Sequence, residues 1–367
     1  MVAQKLEPAM ARKTVFLSLV LAGVAGCGTT APVKPVQAPA PPEAKSEEPV
    51  KEIDVAAAAL PFAILKARGG QEIPLEQFLT ELGQARAVCI GEGHTEIHDH
   101  WAQLHLLDLL SARNQAAGIT TGLGFEMFQR PVQGVLDDYQ AGRIDQKTML
   151  ERTAWKQRWG FPFAFYRPMV ELALKRGVAL VALNTARELI KKVSKHGVAG
   201  LDPVDRARLP ESLVLDDAEH RAWFAEVMEE MGGAAAHGGG GMGGPSSPHA
   251  APLTPEQKEA LAAKAKERSE RIYNAQVVWD ETMADTAARW VKGGERRQIL
   301  ILAGAGHCHD SAIVRRMQRR GVEPVVSVQP VVEDGQGETA ELLSAPRNDY
   351  LFVMTAGAEK VAIPASK

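Results

Sequence analysis

The chain has 367 residues, 45% hydrophobic and 24% charged, which is the composition of a globular protein with ample length for a sizeable core. A formal net charge of −3 excludes a global basic field, and with it the simplest route to nucleic-acid binding. Three cysteines, Cys27, Cys89 and Cys308, are too few for a disulfide framework.

The N-terminus reads as a targeting segment. Lys5, Arg12 and Lys13 form a positive n-region, and residues 15–26 form a short apolar h-region, too short to span a bilayer comfortably. It ends in Val24-Ala25-Gly26-Cys27, which resembles a bacterial lipobox, so residues 1–27 are expected to be a lipoprotein signal peptide with Cys27 as the lipidated residue. Acyl chains on Cys27 would anchor the mature chain firmly, since each buried methylene contributes about 0.8 kcal/mol. Gly28 follows the cysteine, and the absence of aspartate there favours the outer membrane of the cell envelope. Residues 28–53 hold Pro32, Pro35, Pro39, Pro41, Pro42 and Pro49 among Ala, Lys and Glu. Such a segment cannot bury a core, and as an extended linker it would reach roughly 80 Å from the membrane.

From about residue 54 to the end the pattern is that of an α/β domain. A helix is expected at 73–82 and a short strand at 85–90, which ends at Gly91-Glu92-Gly93-His94. Leu104, Leu107 and Leu110 recur at helical spacing in a long helix over 96–116. Further strands are expected at 121–128, 178–183, 299–302, 322–328 and 350–354, and helices at 131–141, 145–151, 164–176 and from Asn184-Thr185-Ala186-Arg187 onward. Strands alternating with helices predict a mostly parallel central sheet flanked by helices. Residues 232–252, rich in Gly and Ala with His237, Met242 and His249, read as a low-complexity insertion before a long helix over 255–291. A solvated loop and a metal- or haem-capturing segment are both open there.

Ligands of open α/β sheets bind beyond the carboxyl ends of the strands. Glu92 and His94, Glu126, Asn184 and Arg187, and His307 all fall at such ends, so residues more than 200 positions apart would meet on one rim. Glu126 lies in the apolar run Gly124-Phe125-Glu126-Met127-Phe128 and is costly to bury unpaired, so it calls for a partner such as Arg187 or a metal. Carboxylate and imidazole together suit a divalent metal, with His94, His307 and Glu92 as ligands, or acid–base work. His98 and His105 share a helix face with Trp101; His105 is expected to pack or be solvated, and His100 to lie on the surface. Cys308 fits a ligand or a buried thiol, and whether it pairs with Cys89 is open. No nucleophile elbow, P-loop or paired CxxC is present.

Several irregular motifs, in order, resemble the ChaN-like haem-binding proteins of the Tiki superfamily. They are Gly91-Glu92-Gly93-His94 with His98 and Gln103; Phe125-Glu126-Met127-Phe128 with Gln133 and Leu136; Trp159-Gly160 and Tyr166-Arg167-Pro168; Ala182-Leu183-Asn184 with Arg187-Glu188 and Gly197; the run from Ala275 to Ala284 that contains Trp279-Asp280-Glu281; and Gly304-Ala305-Gly306-His307. The resemblance spans about residues 75–355. It implies an envelope lipoprotein that binds haem for iron acquisition or handling, with cofacial haems at a homodimer interface. The wider superfamily includes metal-dependent proteases and erythromycin-esterase-like hydrolases. By motif, Glu92, His94, Glu126 and His307 occupy its shared positions and are the candidate catalytic set. Asn184, Arg187, His98 and Asp280 match family motifs and are candidate cofactor contacts. Tyr166 is a candidate haem ligand because phenolate binds ferric iron; an interior tyrosine with a bonded hydroxyl is the competing reading. Cys308-His309-Asp310-Ser311 departs from the small, glycine-containing stretch expected after the last motif. Three functions remain open on the sequence: haem or iron binding, a metal-dependent hydrolase, and an anchored interaction domain.

Overall fold

Seven strands form one sheet in the order β1-β7-β6-β2-β5-β3-β4. The computed structural model describes residues 60–237 and 254–355. The signal segment with Cys27, the linker at 28–53, Met242 and His249 lie outside the described residues. Among the described residues no helix is long and apolar enough to cross a membrane.

In chain order, β1 (Phe62–Lys66) precedes α1 (Leu75–Gln84), β2 (Ala87–Ile90) and α2 (Ile97–Ala117). Next come β3 (Thr120–Gln129), a 3-10 turn at Arg130–Val132, α3 (Gln133–Gln140), α4 (Gln146–Arg152), α5 (Trp155–Arg158) and α6 (Arg167–Arg176). Then follow β4 (Ala179–Asn184), α7 (Arg187–His196), α8 (Pro203–Arg206), α9 (Ala218–His237) and α10 (Pro255–Lys292). The last part holds β5 (Arg297–Leu302), a 3-10 turn at Ala305–His307, α11 (Arg315–Arg319), β6 (Val325–Glu333), α12 (Glu338–Ser344) and β7 (Tyr350–Thr355).

Most strands, α2 and α10 stand where the apolar patterns place them, whereas β6 runs on to Glu333, five residues past the expected 322–328, and α9 is a further helix. β2 and β5 read as continuous apolar runs because both faces of the sheet are covered. α2 starts at Glu96, whose carboxylate accepts the His98 amide, and stops at Gly118, whose φ of 68° is the left-handed cap that favours glycine. α10 opens with a capping box between Thr254 and Gln257. Its second half lays Met283, Ala284, Ala287 and Ala288 against the sheet. Gly122 of β3 is what lets it approach, since a Cβ there would stand 2.8 Å from the Trp290 ring. β1 is an antiparallel edge strand that the sequence pattern does not announce. α9 runs on to His237, inside the span read as an insertion.

The strand order brings the distant motifs together. β2 and β3 are consecutive, yet β5 slots between them, parallel to both. The registers pair Ile90 with Leu302 and Phe125 with Leu302, so these three residues are level at the carboxyl edge. Glu126 follows Phe125 directly, Glu92 lies two residues past Ile90, and His307 five past Leu302. One face of the sheet packs Ile90, Phe125 and Leu302 against α2 and α6; the other packs Cys89, Leu183 and Ile301 against α10 and α11.

Cys89 of β2 and Cys308, next to His307, form a disulfide with a Cα–Cα distance of 5.3 Å. It joins two of the site-bearing segments across 219 residues of sequence. Closing so long a loop restricts the unfolded chain. We expect the Cys89→Ala/Cys308→Ala double variant to be about 2–4 kcal/mol less stable in guanidinium unfolding under oxidising conditions. Equal unfolding midpoints for the oxidised and reduced wild type would contradict it.

Candidate functional site

The rim holds two carboxylates and two imidazoles, all buried. Glu92 is the first anchor, and its side chain has no exposed surface. Tyr166 donates its hydroxyl to Glu92 Oε1 at 2.6 Å, and the Gln103 amide donates to Oε2 at 2.9 Å. His94 Nδ1 lies 2.9 Å from Oε1, and His100 Nδ1 lies 3.5 Å from Oε2. Burial pushes this carboxyl up, but His100, His94 and the Tyr166 hydroxyl together hold it below its ordinary range. Glu92 is therefore a carboxylate that is fully engaged by its own protein.

His94 sits against Trp159 and Phe161, with ring centroids 4.8 and 5.2 Å away. Both aromatic residues are half-buried. On the other side the main chain of Gly304 comes so close that a Cβ there would stand 2.9 Å from His94 Cε1. Burial lowers the proton affinity of His94, yet the Glu92 hydrogen bond and the charges of Glu126 and Glu92 raise it above the ordinary value.

Glu126 receives the Gly304 amide at 2.7 Å and faces His307 Nε2 at 3.4 Å. Burial alone would favour its neutral form. The charge and hydrogen bond of His307, the charge of His94 and the Gly304 amide hold it at about 2 instead. Burial likewise disfavours a charged His307, but the charges of Glu126 and Asp280 and a hydrogen bond to each push its pKa up to about 10. His307 Nδ1 donates to Asp280 Oδ1 at 2.5 Å. Asp280, fully buried on α10, lies 3.0 Å from His220 Nε2 and 3.8 Å from Arg316 through its other oxygen. Opposite charges thus alternate inward from the rim, from Glu126 to His307, Asp280 and the cationic Arg316, with His220 beside Asp280.

The sequence places Glu92, His94, Glu126 and His307 together, and the structure does bring them together, with Asp280 behind His307. The remaining candidates take other positions. Tyr166 is fully buried, and its phenol is pushed well above the ordinary value by burial and by the Glu92 charge. Asn184 turns its side-chain oxygen onto the Thr185 amide. His98 is half-buried and pairs with Glu96 at 2.7 Å, not with the cluster. Arg187 is not the partner of Glu126: its guanidinium caps the Gln157 carbonyl, and its amide donates to Gln129. His100 is not on the surface but is 2% exposed, because the first turn of α2 folds over the Glu92 turn and sets His100 Nε2 on the His94 carbonyl at 3.2 Å. His105 packs flat on Trp101. His309 is buried beside Trp223 and His220. His220 and Arg316 carry no motif that marks them, and only the fold reveals their part. Gln103 and Trp159 lie in quoted motifs, but nothing in their spacing assigns them to Glu92 and His94.

The expected metal set of His94, His307 and Glu92 does not form a coordination group. Among the described residues no three His, Cys, Asp or Glu side chains are arranged to hold a metal ion. Three of the four ring nitrogens have carboxylates as neighbours, the exception being His94 Nε2.

A parallel α/β sheet with a buried glutamate–histidine cluster at its carboxyl rim defines the class of this protein. The chain belongs to the ChaN family of the Tiki superfamily, described as haem-binding uptake proteins, which matches residues 78–317. Among solved structures it is similar to ChaN of Campylobacter jejuni, described with cofacial haem binding, at 18% identity and a TM-score of 0.57; the match covers 80% of this chain and 96% of that one. It is also similar to a mutant erythromycin esterase in its open conformation, at 16% identity over 80% and 82% of the two chains with a TM-score of 0.39. The type III effector HopBA1 matches at 11% identity over 81% and 96%, with a TM-score of 0.37. No curated protein matches.

The charges of this cluster set a pH dependence. Folded His307 keeps its proton to about pH 10, whereas the unfolded residue releases it near 6.5. Its stabilisation is full below pH 6.5 and is lost as pH rises through 10, because the unfolded chain gives up the proton first. Glu126, held at about 2 against 4.5, contributes above pH 4.5 and loses its share as pH falls toward 2. We expect His307→Gln to cost about 3–5 kcal/mol near pH 6, since it strands two buried carboxylates. The deficit measured by urea unfolding should shrink steadily from pH 6.5 to 10; a constant deficit over that range would refute the assignment.

Proposed function

We propose that the protein binds haem at the His94 end of this rim and serves iron acquisition or handling from a lipid anchor at Cys27. The observation that carries the reading is the match to the haem-binding uptake family over residues 78–317. The chemistry around His94 supports it. Glu92 holds the imidazole by Nδ1 and so fixes the direction of Nε2. Trp159 and Phe161 give flat apolar surface beside it that is still half-exposed, which suits a porphyrin face. Tyr166 is a poorer iron ligand here, since its proton is committed to Glu92 and its ring has no open surface. The cofacial haem described for the Campylobacter protein supports a pair of chains that brings two such faces together. The hydrolase reading gains no comparable support from the arrangement of His94, His307 and Glu92.

Titration of the purified protein with haemin should give a saturable Soret shift at micromolar haemin, altered in position or amplitude by His94→Ala. A shift that never saturates would overturn the haem reading. The anchor is tested separately. Wild-type protein should partition with membranes and carry a diacylglyceryl mass, and Cys27→Ala should lose both; a membrane-bound Cys27→Ala chain would refute lipidation at that residue.

A further inference from the structure

A second opening lies one strand further along the sheet edge. It is a cavity of about 320 Å³ beyond the carboxyl ends of β3 and β4. Arg130 follows directly on β3, and Thr185 and Ala186 on β4; Arg208 comes from the segment after α8, and Arg289 from α10. Its volume is near the lower end of the range for small-molecule sites, about 300–1,000 Å³.

The lining holds three arginines, Arg130, Arg208 and Arg289, and no carboxylate. Asp285 Oδ2 lies 3.0 Å from Arg289 Nε and 3.7 Å from Arg130 Nη1, while Oδ1 lies 3.6 Å from Arg320 Nε. Asp285 thus serves two of the lining guanidinium groups, Arg130 and Arg289, while Arg320 has Glu281 nearer, at 2.7 Å. Arg208 relies on Asp205 at 3.1 Å, and Asp205 is also held by Lys192. Arg130 is fixed in place by donating from Nη2 to the Arg208 carbonyl at 2.5 Å. Burial lowers its proton affinity; Asp285 opposes this, while Arg289 and Arg208 lower it further. The cavity wall also includes Ala186 at the start of α7, whose first amide is taken by Gln129 and whose first turn carries Glu188, so the field there comes from the arginines and not from the helix end. An anion between these groups would relieve their mutual repulsion, and guanidinium forks match the paired oxygens of phosphate and carboxylate.

We propose that this cavity is an oxyanion site that takes the phosphate or carboxylate groups of a small ligand. The site needs no haem to exist, so it stands apart from the reading of the His94 rim. Two sources present the same chemistry: a free polyanion, or the propionates of a haem seated near the rim.

Calorimetric titration of the full chain with pyrophosphate tests the site, and parallel titrations with haemin and haemin dimethyl ester separate the sources. Pyrophosphate should bind saturably, more weakly as salt rises, and at least about tenfold more weakly to Arg130→Gln/Arg289→Gln, the scale of losing one charge-assisted contact. Arg289→Lys should retain more of the binding than Arg289→Gln. If haem propionates are the source, the double variant weakens haemin by a similar factor and leaves the dimethyl ester unaffected. Should the double variant fail to fold by circular dichroism, Arg289→Gln alone gives the readout, because its side chain is 71% exposed. Pyrophosphate bound equally well by wild type and variant, or no pyrophosphate binding with equal haemin affinities, overturns the proposal. If haemin fails to bind while pyrophosphate binds through the arginines, the haem reading falls and the oxyanion site remains.

Discussion

Glu126 is a carboxylate set within an apolar strand, and the need to neutralise it organises the rim. An uncompensated charge there would cost several kcal/mol. Two groups answer it from the turn after the neighbouring strand β5: the Gly304 amide and the His307 imidazolium. His307 keeps its proton because Glu126 and Asp280 flank its two nitrogens, and Asp280 stays ionised because Arg316, His307 and His220 surround it. Each charge is admitted to the interior by the next. Deleting any one member leaves a neighbour stranded, so the chain holds together as a unit and not as separate pairs.

This arrangement depends on where β5 lies. A simple β2-α2-β3 crossover with adjacent strands would put Glu92 and Glu126 on neighbouring strand ends, with like charges face to face. β5 between them inserts Gly304 and His307 into that gap. The lack of a side chain at Gly304 then lets His94 close against the inserted main chain. The Cys89–Cys308 disulfide secures the same junction from the opposite face of the sheet. Topology, one glycine and one covalent link thus converge on a geometry that electrostatics alone would not hold in register.

Much of this was legible in the sequence. The buried strands show as continuous apolar runs, and α2 and α10 show as long helical stretches. The positions of Glu92, His94, Glu126 and His307 at strand ends were enough to assemble the cluster. The parts that escaped have physical reasons. β1 is an edge strand whose five residues gain their stability from pairing with β7, almost 290 positions away. Arg187 was the nearest strand-end cation to offer Glu126, but it lies past β4, on the far side of β3 from the Gly304 turn, and finds a carbonyl instead. His100 falls in a helix with polar residues on every side, so periodicity could not assign its face. His220 and Arg316 meet Asp280 only through tertiary packing of α9 and α11 around α10.

The protonation pattern bears on what the rim can do. A general base needs a free lone pair near neutral pH, and a metal ligand needs a deprotonated nitrogen. His307 is biased toward the cation, because Glu126 and Asp280 flank its two nitrogens. His94 is also buried, but only one carboxylate holds it, at Nδ1, and the half-buried rings of Trp159 and Phe161 lie on its other side. The two histidines therefore divide the work. His307 serves as the countercharge that lets Glu126 stay buried and ionised, and the haem we propose would lie on the side of His94. A planar apolar ligand adds dispersion and aromatic contact on that side without disturbing the ion chain behind it. A metal that also used His307 would instead break the pairing that holds Glu126 in place.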